Sequence, residues 1–207
     1  PLHGLPMTVK EAYDLAGSPS THGIPAWRDN IASEDSTVVA RLKAAGAVIF
    51  GKTNLPYAMA DWQSYNDIYG TTRNPWNTDL VPGGSSGGSA AALAAGLCAA
   101  EAGSDIGSSI RNPAHYCGGW GHKPTWGGGP QQGQQLPGME CVDTIDIGVA
   151  GPLARSAHDL TLAMDVLSTP LQTFGPLGCW QPAAWRDAGV PAPRLRVAVM
   201  ADDALAE

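Results

Sequence analysis

The chain has 207 residues, 43% of them hydrophobic, which is enough to bury one sizeable core. Its net charge is -7 with only 12 basic residues and no Lys/Arg cluster, so the electrostatic footprint of a nucleic-acid binder is missing. Cys98, Cys117, Cys141 and Cys179 form no C-x-x-C pair and no metal-ligand spacing with the histidines, and no apolar run nears the roughly 20 residues of a membrane span. A reduced, cytoplasmic compartment fits this usage. The chain begins at Pro1 and stops just after a strand-like run, and it reads as part of something longer.

In chain order, Leu2, Leu5, Met7 and Val9 are broken by Gly4 and Pro6, the pattern of a short strand ending at Lys10 with that lysine at the sheet's rim. Ser18 to Arg28 gathers Gly, Ser, Pro and Thr and reads as a surface loop. Ser36 can cap a helix with Val38, Val39, Leu42 and Ala45 on one face, Arg41 and Lys43 outside, and Gly46 as its stop. The continuous apolar run Ala47 to Phe50 then predicts a strand buried on both faces. Helix, glycine, buried strand is an α/β signature. Leu55 to Trp76 shows neither period and reads as a long ordered loop.

Ser89 to Ala99 is alanine-rich and predicts a thin, closely packed helix, with a short strand over Ala99 to Gly103. Gly127 to Gly138 has the composition of a flexible loop. Ser156, with Asp159 three positions on, caps a helix that turns Leu160, Ala163, Val166 and Leu167 inward. Prolines between Thr169 and Pro193, with Trp180 and Trp185, mark a linker, and Leu195, Val197 and Val199 alternate as a strand. No domain boundary falls before residue 168, so 1–168 is read as one core and 169–207 as a linker and the start of the rest of the same domain.

Between Pro82 and Arg111 two glycine-serine segments bracket the alanine-rich run. Glycine at that density frees backbone amides to face a ligand, and serine can act as nucleophile or proton carrier. Such chemistry needs a base, yet neither serine loop contains a histidine; His115, His122 and His158 lie outside them and read as structural or surface residues. Lysine serves only if burial lowers its pKa, and Lys10, at the end of an apolar strand, is the candidate. From position alone, a strand-end lysine reaching solvent is the simpler reading. Gly84-Ser85-Ser86-Gly87-Gly88 also fits G-x-S-x-G with Ser86 as nucleophile, but the preceding Asp79-Leu80-Val81-Pro82 is short and ends in proline where a buried strand is required. No Gly-Lys-Ser/Thr closes either glycine run as a phosphate loop would demand.

The motifs themselves carry a resemblance. Gly83-Gly84-Ser85-Ser86-Gly87-Gly88-Ser89, then Gly103-Ser104-Asp105-Ile106-Gly107-Ser108-Ser109-Ile110-Arg111-Asn112-Pro113-Ala114, with Gly51-Lys52-Thr53-Asn54, Gly121-His122-Lys123-Pro124-Thr125 and Pro6 to Lys10, resemble the amidase signature family over most of residues 1 to 168. The resemblance implies an α/β fold with a mixed β-sheet core covered by helices. It implies Ser109 as nucleophile, Ser85 as a proton-carrying serine after a cis peptide, and Lys10 as base, with backbone amides of Ile106, Gly107, Ser108 and Ser109 as oxyanion donors and Met59 in the acyl pocket. Asp105 and Arg111 are expected to brace the loop without reacting. No metal or organic cofactor is implied. The expected partner is a small-molecule amide or carbamate, with neither nucleic acid nor membrane, and a homodimer is allowed. The alternatives are carbamate or ester cleavage, an amidotransferase subunit, or a non-catalytic binding subunit. Ser108 stands where the family usually has glycine, which is expected to be tolerated with a negative φ. Gly119, Gly128 and Gly129 replace bulkier residues and are expected to loosen the segment after the second serine loop.

Overall fold

The computed structural model describes residues 1–137 and 147–168. Its main sheet contains β1 (Pro6–Lys10), β2 (Val48–Thr53), β5 (Ala100–Asp105), β6 (Trp120–Gly121) and β7 (Val149–Ala154), in the spatial order β2-β1-β5-β7-β6. β1 runs parallel to both β2 and β5, whereas β7 is antiparallel to β5 and to β6. The fold is therefore α/β with a mixed sheet. A small hairpin, β3 (Tyr65–Asn66) with β4 (Gly70–Thr71), stands apart.

Helices cover both faces. α1 (Thr37–Ala44) and α4 (Ala157–Leu167) meet one face, where Met7, Val9, Val39, Leu42, Ala102 and Leu167 share a core. α2 (Gly87–Ala94) and α3 (Arg111–Cys117) cover the other with Leu93, Ile110, Ala114 and Leu153. Capping serines start α1 and α4 as read from the sequence: Ser36 Oγ accepts the Val39 N–H at 3.2 Å and Ser156 Oγ accepts that of Asp159 at 3.1 Å. α1 also supplies the crossover between parallel β1 and β2, which no tight hairpin could make.

Four expectations are corrected. Ala47 to Phe50 is not buried on both faces: β2 is the outermost strand among the described residues, leaving Val48 52% and Phe50 57% exposed. The Ser18 to Arg28 loop is not wholly on the surface. The Glu11 carboxylate draws it inward by accepting the Thr21 hydroxyl and the Thr21 and His22 amides, which buries Ser20, Thr21 and His22. The alanine-rich helix begins at Gly87 and ends at Ala94, because Gly96 takes a positive φ of 72° and turns the chain toward β5. The segment before residue 138 is irregular, as its composition implies, but it is tied down: the carbonyls of Gly133 and Gln132 accept the amides of Asp14 and Thr37 at 2.8 and 3.2 Å. Cys141, Cys179, the proline-rich linker and the strand around Val197 lie outside the described residues.

Candidate active site

Lys10 ends β1 but does not reach a rim. It is 0% exposed, and its Nζ donates to Ser85 Oγ at 2.6 Å and to Ser104 Oγ at 2.9 Å. Burial disfavours the ammonium form and pushes the pKa down to about 7, with Asp105 and Glu101 pulling it partly back. A neutral amine is therefore available near neutral pH. The expectation of an exposed strand-end lysine fails because the Ser85 loop and the end of β5 close over the side chain.

Ser85 follows a cis Gly84–Ser85 peptide and lies just before α2. Gly84 is required by close approach: a Cβ there would lie 2.5 Å from the carbonyl oxygen of Asp61. Ser86 is 0% exposed, and its amide donates to the Ser109 carbonyl at 3.1 Å, stitching the two serine loops together. Its burial at the start of α2, without a preceding strand, does not suit a nucleophile elbow.

The second loop turns around Asp105. This carboxylate accepts the Ser108 and Ile110 amides, each at 2.9 Å, and a two-point contact from Arg111 at 3.0 and 3.1 Å. Burial alone would raise the Asp105 pKa, but Arg111 and these amides hold it below the usual carboxylate range. Ser108 has φ +75°, not the negative value expected, because its N–H must turn back onto Asp105 within the tight loop. The same bond removes the Ser108 amide from the set of outward donors. Among the described residues no acceptor takes the amides of Ile106, Gly107 and Ser109.

Ser85, Ser109, Ile106 and Met59 line one cavity of about 660 Å³. Trp62 and Gln134 stand among the other wall residues, and Trp62 donates its indole N–H to the Gly107 carbonyl at 2.9 Å, supporting the loop from across the cavity. The structure thus joins Lys10 directly to Ser85 and brings Ser109 to the same cavity; no hydrogen bond links the Ser85 and Ser109 hydroxyls. Sequence reasoning missed the Ser104 contact to Lys10, the glutamines of the far wall, and Glu101. A lone acid flanked by alanines in an apolar strand was the available signal for the last. Among the described residues no cluster of His, Cys, Asp or Glu could hold a metal ion, and no helix is long and apolar enough to cross a membrane.

This fold and these loops match known proteins. The Amidase family profile matches residues 1–206. The chain belongs to the amidase family. It is 43% identical over 170 residues to fatty-acid amide hydrolase 2 of Homo sapiens, covering 82% of this chain and 32% of that one. It is 42% identical over 167 residues to indoleacetamide hydrolase of Bradyrhizobium diazoefficiens, covering 81% and 32%. The crystal structure of a glutamyl-tRNA(Gln) amidotransferase subunit from Thermotoga maritima superimposes with a TM-score of 0.75 at 33% identity, over 82% of this chain and 37% of that one. The chain thus spans about a third of the length of these amidase relatives.

Proposed function

We propose that this chain carries the catalytic core of a serine hydrolase that cleaves a carboxylic amide C–N bond through an acyl-enzyme. The observation that carries the reading is the buried Lys10 amine, hydrogen-bonded at 2.6 Å to Ser85 at the edge of the cavity that Ser109 lines. Neutral Lys10 takes the Ser85 hydroxyl proton while Ser85 takes that of Ser109, whose oxygen attacks the amide carbon. The amides of Ile106, Gly107 and Ser109 stabilise the oxyanion, each worth roughly 3 kcal/mol of transition-state binding. The C–N bond breaks as Ser85 passes a proton to the leaving amine and Lys10 reprotonates Ser85. Water then attacks the acyl ester by the same relay in reverse roles, releasing acid and restoring neutral Lys10.

Residues 1–168 are read as one catalytic unit with the remainder belonging to the same domain, at work in the cytoplasm. Met59 and Ile106 supply an apolar wall for the acyl group, and Gln131 and Gln134 stand among the other residues that line the cavity. The oxyanion chemistry would serve a carbamate or ester equally. The test is hydrolysis of aliphatic, aryl and long-chain amides and carbamates by Ser109→Ala and Ser86→Ala. Ser109→Ala is expected to lose at least about a thousandfold in kcat/KM and Ser86→Ala to retain turnover. Loss with Ser86→Ala alone would overturn the assignment. The likeness to an amidotransferase subunit supports a second reading, in which this chain belongs to a subunit of an amidotransferase.

A further inference from the structure

Glu101 is a buried acid that this relay leaves unemployed. It lies in β5 between Ala100 and Ala102 and is 1% exposed. Thr8 of β1 sits opposite it in the parallel register, and Lys10 follows two residues on, so all three project from one face of the sheet. Thr8 Oγ1 donates to Glu101 Oε1, while Oε2 is buried and makes no hydrogen bond of normal geometry, with the Thr53 and Ser89 hydroxyls near enough to favour the anion. Packing alone would be served as well by an apolar side chain of similar volume.

Two carboxylates oppose the effect of burial on Lys10. Asp105 acts the more strongly, although Arg111 pairs with it at 3.0 Å, and Glu101 adds to it with no cation paired to it among the described residues. His22 faces the same region and is held neutral, its pKa pushed down to about 4 by burial. Tyr13 and Cys98, which feel Glu101 from either side, are held in their neutral forms because burial pushes both pKa values up. Lys52, farther out at the end of β2, donates its Nζ to the Pro19 carbonyl, and Arg155 is exposed beyond Cys98.

We propose that Glu101 is a positioning residue that, together with Asp105, sets the protonation of Lys10, keeping the amine basic enough to receive the Ser85 proton at neutral pH. Burial by itself would make Lys10 too weak a base, and a carboxylate behind it restores basicity to the working range. Burial raises the Glu101 pKa to about 7 while Thr8, Thr53 and Ser89 stabilise its anion, so its charge is available where the amine titrates.

The rate consequence rests on Lys10 being the base, but the coupling can be read without it. The chain has four lysines, Lys10, Lys43, Lys52 and Lys123, so the Lys10 side chain can be followed by carbon NMR of its Cε through a pH titration. Glu101→Gln is expected to lower the Lys10 midpoint by about one pH unit or more. Thr8→Val, which deprives the Glu101 anion of a donor and keeps it protonated, is expected to move it the same way, and it carries the test if Glu101→Gln does not fold. The acid limb of kcat/KM should shift to lower pH with it, and the plateau should fall because a weaker base takes the proton less readily. A Lys10 titration that stays or rises in both variants overturns the inference. A titration that falls while the acid limb stays upholds the coupling and contradicts Lys10 as the base.

Discussion

Burying the Lys10 amine lowers its pKa from 10.5 to about 7, so between those values the folded chain holds fewer protons there than the unfolded chain. Stability from this group therefore rises with pH across that window, and the burden of the buried amine is fully present below it. Lys10→Met is expected to abolish hydrolysis and raise the thermal midpoint, with the gain largest at and below pH 7 and shrinking toward pH 10.5; melts in a pH series check this, and a gain that grows with pH would refute it. Ser108 bears a different strain, a side chain at φ +75°. Ser108→Gly should stabilise by about 1 kcal/mol in denaturant titrations with hydrolysis kept, and a destabilised variant would contradict the role given to that conformation. The burial of Lys10 escapes a sequence reading. The chain around Lys10 shows only a strand end, and its burial is made by Ser85 and Ser104, which are distant in sequence.

At the level of elements, what is local was legible and what is tertiary was not. A capping serine and an apolar period mark α1 and α4 within a single window, and both form where expected. β2 has the apolar run of an inner strand, but strand order decides burial, and β2 lies outermost. α2 starts two residues before its expected beginning because contacts elsewhere in the chain hold its glycines in a helix: a Cβ on Gly88 would sit 2.4 Å from the Asn54 backbone, and one on Gly87 the same distance from Ser64 Oγ. Those glycines let α2 lie close enough to hold Ser85 against Lys10. Gly88→Ala is expected to cost about 1–3 kcal/mol of stability and to lower kcat, whereas Ser36→Ala, remote from the cavity, should cost about 1 kcal/mol with kcat unchanged. Equal effects of the two on kcat would separate α2 packing from the site.

Across the whole molecule, parallel pairing brings the chemistry together. β1 and β5 lie side by side in the same direction, so their C-terminal ends deliver Lys10 and Ser104 to one point although they are 94 residues apart in sequence. Openings at the carboxyl ends of parallel strands are where α/β sheets place their sites. The order of the motifs made the family readable from the sequence; the identity of the acyl group was not, because the wall around Gln131 and Gln134 is built by a segment with no periodic signal. The central claim is that Ser109, activated through Ser85 and Lys10, is the nucleophile. Its most direct test is labelling with a serine-directed fluorophosphonate, followed by mass-spectrometric location of the adduct. An adduct on Ser109 that disappears in Lys10→Ala is the expected result; an adduct on Ser86, or a folded protein that takes no label, would contradict it.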